Sequence, residues 1–267
     1  MRLAGRRVVV TRAATQAEGL AEALRALGAE PIFVPTIRVA APEDPGPLEA
    51  AADAIDTYDL VAVGSTNAVD ALVEALAGRV WSGPVACVGK KTAEYIRGSA
   101  SVQAVLPGPL WIPEVFRAEA LAVAIAAGFE AQGGLRGRRI LYPQAREGRD
   151  VLKAALEAAG ALVTVVEAYR LAPEAAPDDL TLAELGAVDA VTFLSGETLA
   201  AWFQVVPAPV AEQVLARAVV AVIGPVAAKR AEALGVRVDV VPSQATVEGL
   251  VEALALRLGA RPPETPR

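Results

Sequence analysis

The residues best placed to do chemistry follow short apolar runs that are predicted to be β-strands. Most of them are basic, hydroxyl-bearing or glycine residues at the point where a strand passes into a helix. They are Arg12, Ser65, Thr66, Asn67, Lys90, Lys91, Thr92, Arg146, Arg149, Ser195, Gly196, Gly224, Pro225 and Val226. In open parallel sheets ligands bind at the carboxyl ends of the strands, and a helix that begins there favours an anion. Ser, Thr and Asn are also common helix N-caps, so one such loop alone would indicate capping. Because six such loops occur, we give anion binding and helix capping equal weight as interpretations of these residues.

The chain has no histidine, which removes Ser-His-Asp and Cys-His catalysis and the commonest metal ligand. Ser65 and Ser195 are therefore not expected to be nucleophiles, because no suitable base is available to activate them. No Cys/His cluster for zinc and no glycine-rich nucleotide motif after a strand occurs. The single cysteine, Cys87, lies in an apolar run and is predicted to be a buried thiol in a reducing cytoplasm. We expect a cytoplasmic protein without metal or cofactor.

An internal repeat runs through the chain, with matched segments about 130 residues apart. The matched segments are 5–10 with 137–142, 34–39 with 166–171, 58–65 with 188–195, and 85–89 with 220–224. Because the register holds over several elements, the sequence predicts a duplicated domain. The strand-end loops of the two copies are expected to face each other across a cleft.

Each copy alternates apolar strands with amphipathic helices. Leu20 and Leu24 share one helix face, and Gly28 and Gly160 are predicted to end the two matching helices. Continuously apolar, β-branched strands are typical of parallel sheets covered on both faces. The alternation predicts an α/β fold with a flavodoxin-like parallel sheet in each copy. Proline-rich segments 35–45 and 173–179 are predicted to be connections.

Composition narrows the possible partners. A formal net charge of −6 and the lack of a Lys/Arg run argue against a nucleic-acid surface. No stretch supplies the roughly 18 consecutive apolar residues of a membrane span. Nothing indicates an obligate dimer, so a monomer is expected. Residues 261–267, with three prolines, are predicted to be disordered.

In this order, the loops resemble the uroporphyrinogen-III synthase family over nearly the whole chain. The segments that carry the resemblance are 5–12, 59–69, 88–93, 148–149, 160, 169, 193–195 and 223–225. The family is divergent, so the combination is informative and no single motif is diagnostic. Two positions depart from its pattern: Val226 stands where threonine is common, and Thr66 where proline is frequent. At these two positions the family's side-chain contacts do not carry over, whereas the backbone N–H groups can still donate to a ligand.

The resemblance also implies how the chain is divided. In this family the two ends of the chain build one domain and the middle builds the other, joined by two segments that pair as a β-ladder. Carried over, the domains are residues 1–35 plus 173–260 and residues 40–168, with the crossings at 35–40 and 168–173. The repeat alone would favour two contiguous halves that meet near Gly133 and Gly134.

The resemblance implies a cofactor-independent hydro-lyase that cyclises hydroxymethylbilane to uroporphyrinogen III, with loss of water and inversion of ring D. The linear substrate carries eight carboxylates, so hydrogen-bond donors should matter more than a single base. Unguided closure gives the symmetric isomer I. The main task of the protein would be to hold the chain so that the hindered carbon of ring D reacts.

Tyr169 matches the tyrosine that the family places beside the crossing, while its counterpart in the repeat is Ile37. Its phenol could hydrogen-bond to or protonate the departing hydroxyl. The alternative is an ordinary half-buried tyrosine in a strand.

Two other functions remain open from the residues. One is a non-catalytic two-lobed module that binds a small anionic effector, although no helix-turn-helix is appended. The other is an enzyme that acts on phosphate esters, although the sequence lacks the acidic cluster that would bind its magnesium.

Overall fold

The chain folds into two compact units. The terminal unit combines the chain up to Arg38 with the chain from Ala172 onward, and the central unit is Val39–Leu171. The structure is a computed structural model that describes residues 2–148 and 150–259. Arg149 and the predicted disordered tail at 261–267 lie outside the described residues.

Strands and helices alternate along most of the chain. The first elements are β1 (Arg7–Val10), α1 (Ala14–Ala26), β2 (Glu30–Phe33), β3 (Ile37–Ala40), α2 (Gly46–Asp53), β4 (Leu60–Val63), α3 (Thr66–Leu76), β5 (Val85–Cys87), α4 (Lys90–Gly98), α5 (Ala100–Val105) and β6 (Leu110–Trp111). They are followed by α6 (Ala118–Phe129), β7 (Arg139–Ala145), α7 (Val151–Ala158), β8 (Leu162–Pro173), α8 (Asp179–Leu185), β9 (Ala190–Phe193), α9 (Gly196–Val205), α10 (Ala208–Arg217), β10 (Val219–Val222), α11 (Pro225–Ala233) and α12 (Val247–Leu258). Short 3₁₀ turns lie at Ile55–Thr57 and Glu130–Gln132.

The sheet of the terminal unit has the strand order β10-β9-β1-β2, and each of these pairs is parallel. An isolated parallel bridge between Ala221 and Val240 extends it by one position. Val9 packs into a cluster that contains the fully buried Trp202, while Val8 and Val10 pack on the opposite face with α1 and α12. Because successive strand residues point to opposite faces, this sheet is covered on both sides.

The sheet of the central unit has the order β3-β8-β7-β4-β5-β6. The pairs β8–β7, β7–β4, β4–β5 and β5–β6 are parallel. Along β4, Val61 and Val63 face one apolar cluster, and Leu60 and Ala62 face another. The predicted α/β fold with parallel sheets is thus present in both units.

The predicted helix ends at Gly28 and Gly160 are confirmed. Gly28 has φ +88° and Gly160 has φ +92°, and each follows the last residues of its helix. A left-handed residue at this position lets the chain turn back toward the sheet, and glycine adopts it without a steric cost.

One local expectation was wrong. Arg146 was expected where a strand passes into a helix, but β7 continues through Ala145 and pairs with β8 as far as Tyr169, and the next helix begins only at Val151. Pro143 is tolerated there because β4 pairs with β7 only at Ile140 and Leu141, so the later part of β7 has a single neighbour. Within the proline-rich segment 35–45, the part that the resemblance assigns to a crossing forms β3.

Within residues 2–148 and 150–259, no helix is long and apolar enough to cross a bilayer.

Candidate active site

Two serines begin helices directly after buried strands. In the central unit Ser65 has extended backbone angles, and its hydroxyl accepts the Ala68 N–H at 3.2 Å. In the terminal unit Ser195 has nearly the same angles and accepts the Thr198 N–H at 3.2 Å. Both residues are therefore N-caps, which confirms the capping interpretation for these two side chains. Each cap satisfies one first-turn donor, and the remaining first-turn N–H groups stay available to a ligand.

The residues that follow these caps differ in burial. Thr66 and Asn67 are half-buried in the first turn of α3. Gly196 is buried in the first turn of α9, and a Cβ there would lie 2.7 Å from Cγ of Arg230. The close approach of Arg230 explains why a residue without a side chain occupies this position.

Two further helices begin at glycines. Gly89 precedes α4, whose Lys90 is exposed and 3.7 Å from Glu94, while Thr92 is buried. Gly224 precedes α11 with an extended backbone, and Pro225 occupies the first helical position. Because Pro225 has no N–H, the first donor of α11 belongs to Val226. The Val226 side chain is 82% exposed, so it offers a ligand only that backbone group and apolar surface.

The two candidate arginines that the structure describes differ in their partners. Arg12 is half-buried and donates from Nε and Nη2 to Gln16 Oε1 at 3.1 and 3.0 Å. Burial lowers the pKa of Arg12. Among the described residues no carboxylate pairs with Arg12, so its guanidinium remains suited to an external carboxylate.

Arg146 already has protein partners. Its guanidinium lies 3.0 Å from Glu43 Oε2 and 3.0 Å from Glu167 Oε2. The hydrogen bonds to Glu43 and then Glu167 raise the pKa of Arg146, and the same contact with Arg146 lowers the pKa of Glu43. A substrate carboxylate would have to displace these partners, which makes Arg146 a weaker candidate than Arg12. The candidate Arg149 falls outside the described residues.

Tyr169 lies in the extended part of β8 and is half-buried. The Ser65 hydroxyl donates to the Tyr169 hydroxyl at 3.1 Å, and the Tyr169 carbonyl accepts the Arg146 N–H at 2.9 Å. Since Ser65 donates in this bond, the phenolic proton of Tyr169 is left for another acceptor. A strand-end serine and the predicted phenol therefore form one hydrogen-bonded pair, although 104 residues separate them.

The Ser65–Tyr169 pair lies on a pocket of about 730 Å³ in the central unit, here called the Tyr169 pocket. Its lining residues are Gly64, Ser65, Val88, Phe116, Arg117, Ala118, Glu119, Tyr142, Gln144, Ala145, Glu147, Gly148, Val151 and Tyr169. A second pocket of about 610 Å³ is also lined by Tyr169, together with Asn67. Thr66, Lys90, Thr92 and Arg146 line neither pocket.

Sequence reasoning missed two aromatic residues of the Tyr169 pocket. Tyr142 is 7% exposed, and Phe116 is 51% exposed in the loop before α6. For Tyr142 a signal was present, because a hydroxyl stands at the end of an otherwise apolar run. For Phe116 no such signal existed, since its loop carries no recognisable motif.

The chemistry that these residues can perform is hydrogen bonding by backbone N–H groups, hydroxyls and a phenol, together with ion pairing by Arg12 and Lys90. Burial raises the pKa of the Cys87 thiol to about 11, so it stays protonated and unreactive at neutral pH. Among the described residues, no group of three or more His, Cys, Asp or Glu side chains could hold a metal ion. The site residues suit binding and orienting an anionic substrate, with phenol and backbone donors as the functional groups.

The fold and the candidate residues define a class: a parallel-sheet α/β protein with polar helix starts after its strands and, in the central unit, a phenol hydrogen-bonded to one of them. Comparison with known proteins gives the family. The family model described as Uroporphyrinogen-III synthase HemD matches residues 18–252. The chain therefore belongs to the uroporphyrinogen-III synthase family, which confirms the resemblance.

Individual relatives agree with the family match. The chain is 31% identical over 263 residues to the uroporphyrinogen-III synthase of Synechococcus elongatus. The aligned region covers 94% of this chain and 95% of that protein. Two solved structures share the fold. A uroporphyrinogen III synthase mutant from Thermus thermophilus has a TM-score of 0.53 and 19% identity, and the match covers 95% of this chain and 99% of that chain. The uroporphyrinogen-III synthetase of Helicobacter pylori 26695 has a TM-score of 0.53 and 14% identity, and this match also covers 95% of this chain and 99% of that chain.

Proposed function

We propose that this chain cyclises hydroxymethylbilane to uroporphyrinogen III, with loss of water and inversion of ring D. As a member of the family, the chain is an enzyme of tetrapyrrole biosynthesis. The observation that carries the proposal is the family match over residues 18–252. The Ser65–Tyr169 pair adds a site that is consistent with the reaction.

Tyr169 is the proposed catalytic residue. Its hydroxyl accepts from Ser65 and can donate its own proton to the hydroxyl that leaves ring A. That hydroxyl takes up the proton and departs as water, while the ring nitrogen supplies the electron pair that forms the azafulvene. The nitrogen then releases its own proton, which restores the Tyr169 phenol. The net change is the loss of one water molecule. Ring D then attacks through its substituted carbon, and the spirocyclic intermediate fragments and recloses.

Carboxylate binding is assigned to the helix starts and to Arg12. The proposed contacts are Arg12, Ser65, Thr66, Asn67, Lys90, Thr92, Arg146, Arg149, Ser195, Gly196, Gly224, Pro225 and Val226. Arg12 is supported by its half-buried guanidinium, and the helix starts by their first-turn N–H groups. The backbone donors can bind several carboxylates along the substrate, and the cationic side chains add charge-assisted contacts.

No cofactor takes part in the proposed reaction. Loss of the hydroxyl and ring closure are intrinsically easy, so the protein needs to control the shape of the substrate rather than supply a reactive group. We expect activity to survive treatment with a metal chelator. Loss of activity in chelator, and its return with one added metal, would contradict this part of the proposal.

We further propose that the chain arose by duplication and that residues 1–35 plus 173–260 and residues 40–168 are its two domains. The two compact units have nearly these boundaries. Aligned by the repeat, the strand order β2-β1-β9-β10 corresponds to β8-β7-β4-β5. The position of β3 beside β8 supports a ladder formed by the two crossing segments.

The proposal includes a cytoplasmic monomer that binds no nucleic acid. The net charge of −6 supports the last point, and the single, fully buried Cys87 is consistent with a reducing compartment. Light scattering of the purified chain checks its oligomeric state.

The decisive experiment is incubation with freshly prepared hydroxymethylbilane, followed by oxidation and separation of the uroporphyrin isomers. The synthase enriches isomer III over isomer I relative to buffer. A product that is isomer I alone, formed at the rate seen in buffer, would remove the proposed activity and favour a binding module.

A further inference from the structure

Tyr142 brings a second phenol to the Tyr169 pocket. Its ring packs with Leu60 and Ile140 in the apolar cluster of the central unit. Its hydroxyl reaches the turn after β4, where a Cβ built on Gly64 would lie 3.8 Å from the phenolic oxygen. Gly64 and Ser65 are consecutive, so Tyr142 and Tyr169 both approach the start of α3.

The hydroxyl of Tyr142 makes no hydrogen bond with any residue that the structure describes. The nearby Ser65 hydroxyl is already used, because it accepts from Ala68 N and donates to Tyr169. Tyr142 is 7% exposed, and its oxygen is not one of the fully buried unpaired atoms of the described residues. Since Tyr142 lines the Tyr169 pocket, a molecule bound there can accept a hydrogen bond from the phenol.

Tyr142 is suited to donate a hydrogen bond and unsuited to act as a base. Burial raises the pKa of Tyr142, and the neighbouring Tyr169 and Asp150 raise it further. The phenol therefore keeps its proton throughout the neutral range, as a hydrogen-bond donor must.

We propose that Tyr142 is a further catalytic residue that donates a hydrogen bond to the departing hydroxyl of hydroxymethylbilane beside Tyr169. This inference rests on the proposed function. The leaving oxygen gains negative charge as its bond to carbon breaks, so a second fixed donor stabilises the transition state more than the ground state. The reaction itself is unchanged: one water leaves, and the ring nitrogen releases one proton.

The test compares Tyr142→Phe with wild type and with Tyr58→Phe as the matched control. Tyr58 is half-buried, and its ring lies 5.3 Å from the Arg139 guanidinium and outside the Tyr169 pocket. Tyr142→Phe keeps the ring and removes only the donor, so we expect kcat to fall about tenfold, the effect of one hydrogen bond. The KM should change less than about twofold, because the lost interaction forms in the transition state. The fraction of isomer III should also fall, since unguided closure then competes better.

Gly64→Ala provides a second variant that leaves Tyr142 in place. The added methyl group would lie 3.8 Å from the Tyr142 oxygen, an ordinary contact distance, and would shield it from the pocket. We expect kcat to fall about threefold, and thermal melting checks that both variants are folded. The Tyr58→Phe control should keep the wild-type kcat and isomer ratio.

Three outcomes would overturn the assignment of Tyr142. These are an unchanged kcat and isomer ratio in Tyr142→Phe, an equal fall in Tyr58→Phe, or a rise in KM with kcat unchanged. The proposed function fails separately, if wild-type protein does not enrich isomer III.

Discussion

The two sheets begin alike and end differently. At the start of β1, Arg6 pairs with Asp189 at 2.8 Å, and the Asp189 carboxylate accepts the Arg7 N–H at 2.9 Å. At the start of β7, Arg138 pairs with Asp59 at 2.7 Å, and the Asp59 carboxylate accepts the Arg139 N–H at 2.8 Å. In both sheets this contact joins the same two neighbouring strands, as the repeat aligns them.

At the other end of the strands the equivalent turns have different partners. Ser65 caps α3 and donates to Tyr169, whereas Ser195 caps α9 and its carbonyl accepts the Thr198 hydroxyl at 2.9 Å. The terminal turn is held by buried threonines, since Thr36 donates to the Thr198 carbonyl at 2.9 Å. The strand starts therefore make the same contacts in both units, while a phenol is found only at the strand end of the central unit. We infer that the strand starts serve stability and that the strand end of the central unit serves activity.

Tyr169→Phe should have the largest effect on activity. Removing the proposed acid from the departing hydroxyl should lower kcat about 100-fold, because general acid catalysis contributes at least that much. Stability should change little, since the aromatic ring remains in place. The measurement is the initial rate of uroporphyrinogen III formation together with the isomer ratio. An unchanged rate and ratio would remove Tyr169 from the mechanism.

The strand-start carboxylates should affect stability instead. Asp59→Asn and Asp189→Asn should each lower the free energy of unfolding by about 1–2 kcal/mol, because each loses charged hydrogen bonds at a partly buried site. Urea unfolding at neutral pH measures this, and the turnover of the folded enzyme should be unchanged. A fall in kcat in either variant would contradict the separation between strand starts and strand ends.

The effect of Asp59→Asn should also depend on pH. Burial disfavours the charged form of Asp59, but the Arg139 N–H and the ion pair with Arg138 outweigh it and lower the pKa of Asp59. A lowered pKa in the folded state means that the stabilisation is present above the unfolded pKa and is lost as the pH falls through the folded pKa. The destabilisation by Asp59→Asn should therefore shrink below about pH 4.

Much of this architecture follows from the sequence. The apolar runs, the helix faces and the glycines at 28 and 160 have local causes, so periodicity and turn chemistry predict them. The end of β7 does not follow from such rules. Its strand continues through Pro143 because only β8 pairs with it there, and that depends on the sheet order.

Most candidate residues lie at the helix starts where the sequence predicted them, but their contacts were not predictable. Ser65 was expected at a strand end and Tyr169 beside a crossing, yet their hydrogen bond joins residues 104 positions apart. The partners of Arg146 likewise come from distant segments, since Glu43 lies in the loop before α2 and Glu167 in β8. Such long-range pairs depend on how elements pack, which local patterns do not encode.

The two serine caps offer a matched comparison with a smaller effect. Ser65→Ala and Ser195→Ala should each lower the free energy of unfolding by about 1 kcal/mol through loss of an N-cap. Ser65→Ala alone should also lower kcat, by about fivefold, because Tyr169 then lacks the donor that orients its hydroxyl. Urea unfolding and steady-state rates of both variants measure this. Equal falls in kcat would mean that the Ser65–Tyr169 bond has no part in the difference between the two turns.

The two described arginines should give the smallest effect. Arg12→Gln should raise KM about threefold with kcat nearly unchanged, because one carboxylate contact made in both ground and transition states is lost. Arg146→Gln should change KM less than about 1.5-fold, since Arg146 already pairs with Glu43 and Glu167 and a substrate must compete with both. Added salt should weaken substrate binding to wild type more than to Arg12→Gln, because the variant has already lost one screened charge. If Arg146→Gln raised KM more than Arg12→Gln, the substrate would have to displace the protein carboxylates, and occupied arginines would be better anchors than open ones.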